Sequence, residues 1–202
     1  MTKTKLPGGR TAVALLVAVV ATASAANAQD LSWIDWDKVA AREVVFRTGK
    51  LDRWTVTIDV AISVRASQEV IWGILTNCEV APEYVPNVVS CERIDTINEG
   101  RSELFNQTVK PIFLVPRFEH VFRLDYFPPD RIDVRRVSGP LTTLDGTWRL
   151  PQQEDGTVLL THSLRLRAGI PLPPFLVRAT LKRDLPVVLT EIRNRAEAAT
   201  SD

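Results

Sequence analysis

This chain is short of cysteine, of histidine and of net charge, and each scarcity closes off a class of function. Its two cysteines, Cys78 and Cys91, are too few for a four-cysteine structural zinc site. Its two histidines, His120 and His162, fall on separate strand-like segments with no neighbouring carboxylate or thiolate cluster, so no metal site is predicted. The 25 basic and 24 acidic residues nearly cancel to a formal charge of +1, which leaves no global field to attract DNA or RNA. No G-x-S-x-G elbow, Walker loop or Rossmann fingerprint occurs, so nucleophilic hydrolysis and dinucleotide redox chemistry have no support, and no cofactor is expected.

No apolar run reaches the roughly 20 residues that span a bilayer, and this bears on how the N-terminus is read. Lys3, Lys5 and Arg10 make a basic start, Thr11 to Ala23 is uncharged and apolar, and Ala26-Asn27-Ala28 has the small-x-small form of a cleavage site. The competing reading, a retained anchor, suffers from the shortness of the run. Residues 1–28 are therefore expected to be a cleaved signal peptide, with a mature chain starting at Gln29 in the periplasm or outside the cell. What remains is of single-domain size, divided into an arm over 29–52 and a domain over 53–202. In an oxidising compartment Cys78 and Cys91 can persist as a disulfide, worth about 3 kcal/mol in the chain-entropy view; the alternative is two buried thiols.

The arm carries Leu31, Trp33, Ile34 and Trp36, then a short helix near Asp37 to Arg42 and a short strand over Glu43 to Arg47, all expected to pack on the outer surface of the domain. From Trp54 to Val64 apolar residues alternate with polar ones, the pattern of a half-buried strand. Ser67 is placed to cap a helix carrying Val70, Ile71, Ile74 and Leu75 that should stop near Asn77, and a second short helix over Glu79 to Tyr84 should end at Pro86. Strand candidates follow over Val88 to Ile97, Ser102 to Val109, Arg117 to Phe127, Arg131 to Val137, Leu141 to Leu150 and Val158 onward, joined by short turns that imply an antiparallel meander.

The last third is the most telling. A strand with Val158, Leu160, His162, Leu164 and Leu166 in alternation passes Gly169 and a proline-rich turn into one long helix that starts at Pro173 or Pro174. That helix has an apolar stripe of Leu181, Leu185, Val188, Leu189, Ile192 and Ala196, and Pro186 within it should introduce a kink. The fold class is α+β of the helix-grip kind: a curved antiparallel sheet wrapped around a long C-terminal helix, with two short helices after the first strand and a cavity between the layers.

The segment Trp72 to Val89, WGILTNCEVAPEYVPNVV, resembles the "W.vltdye.yPefvP.v" signature of the START-like, Bet v 1-like (SRPBCC) superfamily, and its coenzyme-Q-binding and polyketide-cyclase/lipid-transport branch fits best. The stretches RIDVRRVSGPLTTLDGTWRL, DGTVLLTHSLRL and PPFLVRATLKRDLPVVLTEIRNRAE resemble that branch's last strands and closing helix. Cys78 departs from the signature by replacing its usual acidic residue. The resemblance implies a binder or carrier of a lipid, quinone or polyketide-like molecule, with cyclase or aromatase enzymes and ligand-gated interaction modules as the other known roles of such folds.

By strand parity Phe118, His120, Phe122, Leu124, Trp148, Leu160, His162 and Leu164 face inward, and Leu181, Leu185 and Val188 face them from the helix; these are the predicted cavity residues. Either histidine, if buried, must be neutral or hydrogen-bonded, and could orient a ligand oxygen or act as a general base, although a satisfied core histidine has the same signature. Gln107 and Arg136 share the inward phase. Up-and-down counting gathers the loops Pro111 to Pro116, Ser138 to Thr142 and Ala168 to Pro174 at one end of the sheet. Ile112, Phe113, Leu114, Leu172, Phe175 and Leu176 would make that end an apolar mouth able to meet a membrane, flanked by Arg117, Arg178, Lys182 and Arg183, unless the side chains fold inward and plug it.

Overall fold

The computed structural model describes residues 30–111, 115–169 and 173–200. The signal-peptide reading of residues 1–28 and the mouth residues Ile112, Phe113, Leu114 and Leu172 lie outside those described.

Asp35 accepts a hydrogen bond from the Lys38 amide and starts a short helix, α1 (Trp36–Ala40). Two strands follow, β1 (Val45–Lys50) and β2 (Val56–Val64), joined by a turn in which Asp52 Oδ1 accepts from the amides of Trp54 and Thr55 at 2.7 and 2.8 Å. Ser67 caps helix α2 (Gln68–Thr76), which stops at Asn77 and gives way to a 3-10 turn over Cys78–Glu83. Six further strands run as β3 (Val88–Ile97), β4 (Ser102–Val109), β5 (Phe118–Phe127), β6 (Arg131–Ser138), β7 (Leu141–Arg149) and β8 (Val158–Ala168). Helix α3 (Pro174–Thr200) closes the chain and runs on through Pro186.

All neighbouring strands are antiparallel, in the order β1-β2-β8-β7-β6-β5-β4-β3. This is the helix-grip architecture predicted above, with α3 packed on β2 and α2. The arm differs from expectation in one respect. Val45–Lys50 does not lie on the outside but hydrogen-bonds to β2 as the edge strand of the sheet. Only Val45 of that strand is fully buried, so its sequence carries little alternation to betray the pairing. Trp54 also leaves the inward phase of its neighbours, because the Asp52 turn precedes the ladder; its ring is exposed and sits beside Arg53.

The core is concentrated at one end of the grip. Ile58, Val60, Ile62, Leu160, Leu189, Ile192 and Ala196 are all essentially inaccessible, and α3 lies tightly on β2 there. The C-terminal end of α3 is tied back to the arm: Glu197 accepts from the Arg42 guanidinium and, at 2.9 Å, from the Arg65 amide, while Arg193 donates to the Arg42 carbonyl at 2.7 Å. Cys78 and Cys91 form a disulfide with Cα atoms 5.5 Å apart, joining the 3-10 turn to β3.

Candidate functional site

Away from that packed end, β4 to β8 curve off the first half of α3 and leave a cavity of about 400 Å3. That is within the ordinary range for small-molecule sites, roughly 300–1,000 Å3. Its walls come from four sources. The sheet gives Gln107, Phe118, His120, Phe122, Leu124, Val134, Leu144, Trp148, His162, Leu164 and Leu166; α3 gives Val177, Thr180, Leu181, Asp184, Leu185, Val188 and Ile192; and the α2 end with the segment after it gives Leu75, Cys78, Ala81, Tyr84, Val85, Pro86 and Asn87. The loop end of the sheet contributes Pro111, Val115, Pro140 and Ala168, of which Pro140 is exposed to solvent. Described residues at the edges of all three loops thus line the same cavity, and Gly169 donates to the Pro140 carbonyl at 2.7 Å.

Ten of the eleven cavity residues expected from parity line this space. Leu160 does not. It has the inward phase but lies past the last β7 partner of β8, opposite Ile62, where α3 has already closed on the sheet. Arg136 also stays out of the cavity: it pairs with Phe122 on the inner phase, yet its guanidinium turns to the carbonyls of Gly139 and Leu141 and holds the β6–β7 turn. Of the mouth residues that are described, Phe175 is exposed and Leu176 half-buried. Among the rim cations, Arg183 pairs with Asp184 at 2.6 Å and Lys182 lies 6.0 Å from the Phe46 ring.

Two imidazoles set the chemistry of the wall. His120 Nε2 lies 3.0 Å from Gln107 Oε1 across the β4–β5 ladder, and its ring sits between those of Phe118 and Phe122. His162 stacks on Trp148 with ring centroids 3.8 Å apart and planes 17° from parallel. Gly146, between Trp148 and Leu144 on β7, makes room for it: a Cβ there would come within 2.9 Å of His162 Cε1. Burial pushes both histidines down to about 4, against the weaker opposing pull on His162 of the Thr147 main chain and the Asp59 carboxylate. Both rings are therefore neutral at physiological pH, and Nδ1 of each is buried without a hydrogen-bond partner.

Sequence reasoning missed Asp184 and Asn87. They meet at 2.7 Å, amide nitrogen to carboxylate, and join α3 to the segment that precedes β3. Asp184 reads as part of the charged face of its helix, and Asn87 as an ordinary turn residue; only the positive φ of Asn87, 69°, fits a signal that asparagine can give.

The family profile of polyketide cyclase / dehydrase and lipid transport proteins matches residues 64–193, most of the chain. The chain belongs to this family. Among solved structures it is similar to a START superfamily protein from Mycobacterium smegmatis (19% identity, TM-score 0.60, covering 71% of this chain and 98% of that one). It is likewise similar to the Zhui aromatase/cyclase from a Streptomyces species (17%, 0.59, 72% and 96%). A third is the STAR-related lipid transfer protein from Xanthomonas axonopodis (13%, 0.61, 75% and 98%). Identities this low establish the shared fold. No curated protein matches the sequence. As a member of the polyketide cyclase and lipid transport family, the chain has a ligand-binding or cyclase role.

Proposed function

We propose that this family member is an exported binding or carrier protein for a hydrophobic small molecule, a lipid, quinone or polyketide-like compound, held in the cavity between β4–β8 and α3. The observation that carries the reading is the wall itself: leucine, valine, phenylalanine and tryptophan side chains surround about 400 Å3, with few polar groups among them. The driving force would be desolvation of the ligand, about 25 cal/mol per Å2 of apolar area removed from water. A carrier needs only such a space and one or two orienting groups, and the wall supplies His120 with Gln107 and His162 with Trp148. Export is supported by the basic, apolar and small-x-small order of the first 28 residues and by the disulfide.

Loading from a membrane would use the loop end, where Phe175 already projects into solvent at the start of α3. Phe175→Asp is then expected to reduce liposome binding, and undiminished binding would remove this step.

A cyclase-type reaction is the second reading, and His120 is the observation that favours it: a neutral imidazole within an apolar cavity can move a proton on a polyketone. Native mass spectrometry of the purified chain, with solvent extraction of whatever copurifies, tests the carrier reading. An intact apolar molecule released unchanged is expected; a protein empty after exposure to lipid extract would refute it.

A further inference from the structure

The cavity ends blindly at one level of the sheet. Leu124, Val134, Gly146 and Leu164 stand opposite one another across β5–β8, and the leucine and valine side chains of that row line the space. One pair deeper come Ile132, Trp148 and His162. Trp148 and His162, stacked on each other, still border the space, whereas Ile132 is fully buried and does not. Deeper again, Leu150 and Leu160 are inaccessible and line no part of it. On the helix side the lining stops at Ile192. The opposite end is the loop end, where Pro140 is exposed.

Two elements give the length of this space. Along β8 the lining runs from Ala168 to His162, about 20 Å at about 3.3 Å per residue. Along α3 it runs from Val177 to Ile192, about 22 Å at about 1.5 Å per residue. A volume of about 400 Å3 drawn out over about 20 Å has a mean cross-section of about 20 Å2. An extended alkyl chain, with its carbons about 4–4.5 Å from those around it, takes about 16–20 Å2. We propose that the cavity takes single-chain hydrophobic molecules tail first, to the exclusion of two-chain lipids, and that Trp148, laid on His162, is the end wall that sets the longest tail it buries. This rests on the carrier reading above and narrows its ligand class. Saturated carbon bonds of about 1.5 Å at about 111° advance about 1.25 Å per carbon, so about 16 carbons fill the depth. Longer tails leave their extra methylenes in water, and a second chain beside the first has to displace wall side chains from a packed interior.

Displacement of Nile red from the purified chain by neutral glycerol esters, each below its aggregation threshold, tests this. 1-Hexadecanoylglycerol and 1,2-dioctanoylglycerol carry the same number of acyl carbons in one chain or two, and the first is expected to compete at least tenfold better. In 1-acylglycerols of 8 to 20 carbons, affinity should rise by up to about fourfold per methylene as each is buried, then level off near 16 carbons. Trp148→Ala removes the end wall and should move that break to longer chains by at least two carbons. Val134→Phe fills the row one pair nearer the loop end and should move it to shorter chains by at least two; it decides the matter if Trp148→Ala loses its cooperative melt. If the dye binds but the one-chain and two-chain esters displace it equally, or neither displaces it, the proposal is overturned while the carrier reading stands. A break that stays in place in folded variants, or affinity that climbs unbroken to 20 carbons, overturns the role given to Trp148. Failure of the dye and of every ester to bind would overturn both.

Discussion

His162 and Trp148, on paired strands, stack 3.8 Å apart with their planes 17° from parallel, and this contact forms part of the deep wall of the cavity. It fixes an imidazole in a buried position, and that burial holds its pKa down at about 4.

Acid stability follows from that. An unfolded histidine titrates near 6.5, whereas His120 and His162 in the folded chain do so near 4, so between these values the unfolded state binds more protons and stability falls as pH is lowered. Each histidine adds up to about 1.4 kcal/mol per pH unit to that slope inside the window and nothing above it. In urea titrations from pH 7 to pH 4, His162→Gln or His120→Gln is expected to flatten the decline by that amount relative to the unmodified chain. Parallel curves would show that neither ring is buried in its neutral form.

Gly146 gives a second test of the stack. Gly146→Ala places a Cβ within 2.9 Å of His162 Cε1 and 3.4 Å of Val134 Cβ, so the ring must shift from Trp148. The expected cost is about 1–3 kcal/mol, the usual range for overpacking, together with weaker ligand binding. Thermal unfolding and Nile red titration of the variant read the two effects separately.

Much of this geometry is visible in the sequence before any coordinates. Alternation through Val158–Leu166 and Phe118–Leu124 puts both histidines on the inner face, and the stripe of α3 supplies Leu181, Leu185 and Val188. Depth is what alternation does not encode. Leu160 and His162 have the same phase, but only His162 lines the cavity, while Leu160, opposite Ile62 of β2, lies in the closed core where α3 packs on β2. The pairing of β1 with β2 was hidden for a different reason: a short strand is expected over Glu43 to Arg47, but with one buried residue it shows no period that marks it as part of the sheet. Asp184 and Asn87 were hidden because their contact joins positions 97 residues apart.

The disulfide couples stability to the cavity, since Cys78 is also a wall residue. Replacing both Cys78 and Cys91 by Ala should lower stability by about 3 kcal/mol, given a separation of 13 residues. Because the freed segment carries Ala81, Tyr84, Val85 and Asn87 of the wall, ligand exchange should also quicken. Stopped-flow dissociation and a denaturant melt under matched conditions check both parts.

At the far end, Glu197 holds Arg42 and the Arg65 amide with its two oxygens. Glu197→Ala should cost about 1–3 kcal/mol, the range for charge-assisted hydrogen bonds, and expose the arm before Val45 to proteolysis without altering the affinity for ligand. Unchanged protease resistance would show that the arm is held by other contacts.

The central claim is that an apolar molecule occupies the space between the sheet and α3, and filling that space with protein tests it most directly. Leu164→Trp, pointing into the cavity from β8, should keep the circular dichroism spectrum and the cooperative melt of the unmodified chain while abolishing Nile red binding and emptying the protein of extractable ligand. Retention of full binding by a folded Leu164→Trp chain would place the ligand elsewhere and contradict the account.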